Sequence, residues 1–350
     1  MTTIQPYPVP RKPWVNIVIA LLYFLLYEGI HFAVGLGASL YFAAISPDEA
    51  TMEALFNEHS NMIMILLDLI VVLSLSIIVL ARGKTYFHGM GVRKSRPETL
   101  PVAFIAGIGL SCLLGFVMNY VALFFPELME DYNQTMDVTY NMGQIILYAL
   151  AGVVGAPLVE ELVFRHFMAG NFTKGMPRIA AIAVSSLLFG MVHQHIVQIV
   201  YAAILGVAMA CIYFAYDSVL PSIALHAGFN AVSLLSMIDT SKWSETAQIT
   251  FDMLMTLAFM ALSFIGVAAM VLLLVRRTHP IWKNEKKAAA PVNEAYTFAP
   301  RPSAVEWDSL MAKPMESGKF PSVADLSASM KGESEDADEQ PADEPKEEEV

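Results

Sequence analysis

The sequence predicts an all-α fold: a polytopic transmembrane helical bundle of about eight spans, with both termini cytoplasmic and a disordered acidic C-terminal tail. Three observations predict it. The 350 residues are 56% hydrophobic and 15% charged, with a mean hydropathy of +0.53, more apolar than soluble domains usually are. Apolar runs close to the ~20 residues that cross a bilayer recur at 14–42, 61–81, 100–125, 142–171, 177–194, 196–216, 219–238 and 248–275. The connections between these runs alternate in charge, and cytoplasmic loops are the ones that collect Lys and Arg.

Taken in order, Arg11 and Lys12 precede the first run. The opening residues lack the short apolar core and small-residue cleavage site of a signal peptide, so the first run is expected to remain as a span. The next connection holds Asp48, Glu49, Glu53 and Glu58 without Lys or Arg and is therefore assigned to the outside. Within it, Ser46-Pro47-Asp48-Glu49 has the capping-box spacing with Pro at the first helical position, which predicts a short amphipathic surface helix. Arg82, Lys84, Arg93, Lys94 and Arg96 then mark an inner loop, and Glu127, Glu130, Asp131 and Asp137 an outer one. Lys174 and Arg178 lie inside again, and Arg276, Arg277 and Lys283 close the last span. The predicted organisation is a cytoplasmic N-terminus (1–13), a first transmembrane region of three spans (14–141), a core of spans four to seven (142–238), the last span with its preceding outer loop (239–275), and the tail (276–350).

Composition also excludes some classes. Lys plus Arg total 21 against 33 Asp plus Glu, a net charge of -12, and no basic patch offsets it, so nucleic acid is not an expected partner. The two cysteines, Cys112 and Cys211, both lie in apolar stretches, which removes a disulfide framework and a cysteine zinc site. After Arg277 the hydrophobicity collapses, and Glu333, Glu335, Asp336, Asp338, Glu339, Asp343, Glu344 and Glu347 to Glu349 face Lys346 alone among residues 332–350. Such a segment cannot bury a core. It is read as a solvated tail, with docking of a cytoplasmic partner around Val305, Trp307 and Leu310 as the sharper alternative.

Ionisable groups inside a membrane are costly, so each is a functional candidate with a partner to be named. The candidates are Glu28 and His31 in span one, Asp68 in span two, Glu160, Glu161 and Arg165 in span four, His193 and His195 ending span five, and His226 with Asn230 in span seven. Glu161 and Arg165 stand at i, i+4 with the acid first, the favourable order for mutual neutralisation. Glu160 lies about 100° around the helix from Glu161 and is left for another partner. Pro157, one turn earlier, lacks an N–H and can loosen the helix, opening a polar spot where water could be held. His226 and Asn230 share a face at i, i+4. Counting ~1.5 Å per residue from cytoplasmic span ends puts Glu160 at ~18 Å depth, His193 at ~24 Å, His226 at ~10 Å and Asn230 at ~16 Å. These depths overlap in the cytoplasmic half. A carboxylate and a neutral imidazole can polarise water, while imidazole N–H and amide NH₂ can hold an oxyanion, the parts of an acyl-transfer hydrolase.

Each group has a plainer reading: a structural ion pair, a histidine bonded to a backbone carbonyl, an asparagine joining two helices. Those readings suffice for Glu28, His31 and Asp68, and His195 is read as interfacial beside an outer loop. They do not explain why an unpaired acid, two histidines and an amide fall at similar depth.

At these residues the sequence resembles the CAAX protease and bacteriocin-processing family (CPBP, also called Abi) of intramembrane endopeptidases. Glu160-Glu161-Leu162-Val163-Phe164-Arg165 matches its EExxxR motif, Phe189 to His193 its FxxxH motif, and His226 to Asn230 its HxxxN motif, in that order along residues 142–236. Family members often have Gly after the motif arginine, where this chain has His166. The resemblance implies that Glu160 and His193 activate the attacking water, that His226 and Asn230 stabilise the tetrahedral oxyanion, and that Glu161 and Arg165 hold the frame. The family has also been described as metalloproteases, so the resemblance allows zinc on Glu160, His193 and His226; with HExxH absent, metal-free catalysis is favoured.

The expected protein is thus an integral protein of the cell (plasma) membrane, CAAX endopeptidase-like, cutting a membrane-bound or lipid-proximal protein or peptide at a site reached from the cytoplasm. Two other classes fit parts of the sequence. A non-catalytic scaffold or bacteriocin-immunity factor would work through the acidic tail. A proton-coupled transporter would use the buried acids and histidines as a relay, but no second broken helix matches Gly155 to Pro157.

Overall fold

The computed structural model describes residues 12–136, 142–193 and 195–276. The chain divides into two compact units, Met1–Ala289 and Ala290–Val350, and the described residues all belong to the first. Arg277, Lys283, the acidic tail and the segment around Trp307 lie outside them.

Every regular element among the described residues is helical. In chain order they are α1 (Pro13–Ile45), α2 (Glu49–Ala81), α3 (Tyr86–Gly89), α4 (Thr99–Phe124), α5 (Pro126–Met136), α6 (Met142–Phe172), α7 (Arg178–Met191), α8 (Ile196–Tyr216), α9 (Val219–Ser236) and α10 (Glu245–Val275). Seven of these, α1, α2, α4, α6, α8, α9 and α10, are long and apolar enough to cross a membrane. The run at 177–194 does not join them. It forms α7, whose 14 residues reach only ~21 Å at 1.5 Å per residue, short of a hydrocarbon core of ~30 Å.

The start of α2 also differs from expectation. Asp48, not Ser46, is the N-cap, accepting from the Thr51 amide. No separate surface helix follows, because helix runs unbroken from Glu49 to Ala81. The other caps are local and polar: Ser218 accepts from Leu220, Ser244 from Ala247, and the His195 ring from Val197. Between α8 and α9 the chain reverses at Asp217, whose φ of 49° is left-handed.

The core is built around glycine contacts. α4 packs against α9 and α10; a Cβ at Gly107 would run into the Leu225 carbonyl, one at Gly228 into the Phe104 carbonyl, and Gly109 lies against Gly266. Small residues matter here because lipid supplies no hydrophobic drive between helices, so association depends on close packing. The outer surface is apolar, with Leu22, Leu25, Leu69, Leu123, Ile204 and Phe264 more than half exposed.

Contacts between helix ends define two ends of the bundle. At one, Asn16 bonds the Lys174 carbonyl, Val219 the Gly91 carbonyl, and Tyr216 the Leu273 carbonyl. Arg82, Lys84, Arg93, Lys94, Arg96, Lys174, Arg178 and Arg276 gather there. At the other, Asn61 bonds the Gln144 carbonyl, His195 pairs with Asp131 at 3.1 Å, and Tyr132 meets Tyr201. That end carries Asp48, Glu49, Glu127, Glu130, Asp239 and Glu245.

Candidate active site

α6 carries the acids, and its backbone is not a regular α-helix. Two π-helical stretches, Ala149–Gly155 and Glu161–Ala169, flank the short α-helical piece Ala156–Glu160. π turns of this kind are uncommon and cluster at functional sites. The Ala156 amide bonds the Ala151 carbonyl, five residues back. The next amide in that register would belong to Pro157, which has none. The Gly152 carbonyl is therefore free, and it accepts the side-chain N–H of Asn230 at 2.8 Å. Pro157 does loosen the helix as the sequence predicts, but the freed group is taken by Asn230.

Glu161 and Arg165 form a fully buried ion pair at 3.1 Å. Glu161 also accepts the Ser222 hydroxyl and, at 3.1 Å, His226 Nδ1–H. Arg165 lies 4.5 Å from the centre of the Phe189 ring, a cation–π arrangement strengthened by the burial of both side chains. Phe189 in turn meets His193 and His226 edge-on, with centroids 5.1 and 5.7 Å away. The FxxxH phenylalanine is thus the wedge that seats arginine and both imidazoles.

Glu160 turns the other way. Its carboxylate lies 3.7 Å from His226 Nε2, an ion-pair separation longer than a hydrogen bond. Tyr27 of α1 and Asp68 of α2 both stand within electrostatic reach of it. One Asp68 oxygen packs against Gly155 with no hydrogen-bond donor among the described residues. His193 Nδ1 donates to the Phe189 carbonyl at 2.9 Å, leaving Nε2 with its lone pair.

Glu160, His193, His226 and Asn230 all line one cavity of about 810 Å³, within the usual size range of ligand sites. Glu161 and Arg165 lie beneath it. Glu28 and His31 stay apart, His31 bonding the Tyr27 carbonyl, and His195 caps α8. Sequence reasoning missed Tyr27 and Ser222. Ser222 stands one turn before His226 and was open to the same i, i+4 argument; Tyr27 needed the packing of α1 on α6. Among the described residues no three His, Cys, Asp or Glu side chains are placed to hold a metal ion. The donor set of Glu160, His193 and His226 does not fit zinc as arranged.

His166 is explained locally. Its Nε2–H donates to the Gly89 carbonyl at 2.9 Å and its Nδ1 accepts the Tyr213 hydroxyl at 3.1 Å, tying α6 to the α3 turn and α8.

The comparisons with known proteins bear on this same stretch. Residues 142–232 match the Rce1-like family of type II CAAX prenyl endopeptidases. The match is consistent with the CPBP family, and it covers all three motifs and every cavity-lining polar residue named above. Tyr27 and Asp68 come from outside the Rce1-like segment. No curated protein and no solved structure matches the chain.

Proposed function

We propose that this protein is a membrane-embedded endopeptidase that hydrolyses a peptide bond with water activated by Glu160 and His193. The observation that carries the reading is the division of labour between adjacent glutamates. Glu161 is consumed by Arg165, Ser222 and His226, whereas Glu160 faces a cavity with the free Nε2 of His193. In this reading water between them attacks the carbonyl carbon, and Glu160 takes its proton and passes it to the leaving amine. His226 and the second N–H of Asn230 stabilise the oxyanion. Glu161 holds the His226 ring from behind. No step is routed through zinc. The substrate is a membrane-bound or lipid-proximal protein or peptide, and the protein is an integral one of the cell membrane with its basic loops cytoplasmic.

The test is cleavage of a fluorogenic peptide library by purified, detergent-solubilised protein. Glu160→Gln and His193→Ala are each expected to lower kcat by ~10²–10⁴, the range for removing a general base, with wild-type activity resisting a strong zinc chelator. A correctly inserted Glu160→Gln protein that cleaves at the wild-type rate would falsify the mechanism; chelator loss with rescue by zinc would return Glu160, His193 and His226 to a metal site.

A further inference from the structure

The cavity is one-sided. From α2, α4, α8, α9 and α10 its wall takes Met64, Ser111 to Met118, Gln198 to Leu205, His226 to Met237 and Phe251 to Phe259. Apart from Ser111 and His226, which stand near mid-helix, those residues occupy the half of each helix nearer the acidic end of the bundle. Below Glu160, towards the basic end, Arg165, Phe164, Met168, Met209 and Leu225 are all fully buried, and the His166 bonds to Gly89 and Tyr213 close that side further. Among the described residues, the lining of this cavity does not extend to the basic end. The sequence expects a site reached from the cytoplasm; with the basic end cytoplasmic, this cavity lies toward the other side of the membrane.

Two properties of the open side specify what enters. The wall is rich in Met64, Met118, Met237 and Met255 together with Tyr201 and Phe259, polarisable and conformationally adaptable surface that accepts varied apolar side chains. At that end of the bundle, Glu127, Glu130, Asp239, Glu245 and Asp252 are exposed, the second, third and fifth of them within two residues of the lining side chains Tyr132, Met237 and Phe251, with Lys242 the single exposed Lys or Arg among the described residues of that end. Resting on the endopeptidase reading, we infer that the site takes an apolar peptide segment carrying a cationic flank, admitted from the acidic, non-cytoplasmic end of the bundle. The apolar part fills the cavity and brings its backbone to Glu160; the basic flank stays at the mouth, where complementary charge adds on-rate and selects orientation.

Two experiments test it on the full chain. For sidedness, Met237→Cys and Lys84→Cys are made in a Cys112→Ala, Cys211→Ala background and treated in intact cells with a membrane-impermeant maleimide. Met237→Cys is expected to react, and Lys84→Cys only after permeabilisation; the reverse pattern overturns the inference. For substrate class, dye-labelled peptides with one apolar core and either a Lys-Lys or a Glu-Glu flank are titrated into Glu160→Gln protein in nanodiscs. The Lys-flanked peptide is expected to bind ~10-fold tighter at low salt, with the difference shrinking at high salt, and Glu127→Lys with Glu130→Lys is expected to reduce it. Equal affinities, or no binding by either peptide, reject the inference. A Lys-flanked peptide that binds but is never cut by wild type removes the endopeptidase reading and leaves this one standing; cleavage indifferent to flank charge does the opposite.

Discussion

At the scale of single residues, neighbouring glutamates do opposite things. Glu161 is fully buried against a fully buried arginine, so removing its charge strands Arg165, whose Nη atoms have no other hydrogen-bond acceptor among the described residues. Breaking a buried pair costs about 3–5 kcal/mol. Glu161→Gln is therefore expected to lower thermal stability by that order, read as a fall in Tm in detergent, whereas Glu160→Gln, at a cavity wall, should leave Tm nearly unchanged while lowering kcat by ~10²–10⁴. Equal Tm losses in both would contradict the assigned division. Tyr27 makes a third point. Its hydroxyl stands within electrostatic reach of Glu160 from outside the motif-bearing segment, so Tyr27→Phe is expected to reduce kcat about tenfold through loss of one orienting polar contact, of order 1–1.5 kcal/mol, with little change in KM; an unchanged kcat would make the contact merely structural. The roles of Glu161 and Arg165 could be read from i, i+4 spacing. Tyr27 could not, because nothing in the local pattern of span one states which helix it faces.

At the scale of elements, the irregular backbone of α6 is the feature with consequences. Its π turns displace the hydrogen-bond register by one residue, and Pro157 leaves the Gly152 carbonyl without a backbone donor. Supplying that donor should release Asn230. Pro157→Ala is expected to lower kcat, and to add nothing when combined with Asn230→Ala; additive losses in that cycle would show the two positions are uncoupled. The sequence pointed to a disturbance at Pro157, since a missing N–H is a local property. It could not say whether the outcome was a kink or a π turn, because the choice depends on Asn230 arriving from α9. Similarly, hydropathy alone reads residues 177–194 as a span, whereas the 14-residue length of α7 is set by where the chain leaves the helix at Val192 and seats His193.

At the scale of the molecule, charge and cavity point to opposite ends. Basic groups crowd one end of the bundle, acidic groups the other, and the cavity opens toward the acidic one. Removing residues 290–350, the second compact unit, is expected to leave peptide cleavage by the purified protein at the wild-type rate; loss of cleavage would instead make the tail a working part, as a scaffold reading requires.

Composition and periodicity by themselves determined that the chain is a helical membrane protein, and motif spacing determined which polar residues to examine, since both are properties of a single strand of sequence. Tertiary structure decided the rest. Whether Glu160 or Glu161 faces open space, that Phe189 seats Arg165 and both histidines, that Tyr27 and Ser222 stand beside the two glutamates, and on which side of Glu160 the cavity lies all depend on contacts between helices distant in sequence. Those contacts arise where glycine faces let backbones meet, a complementarity of shape that no single helix carries alone.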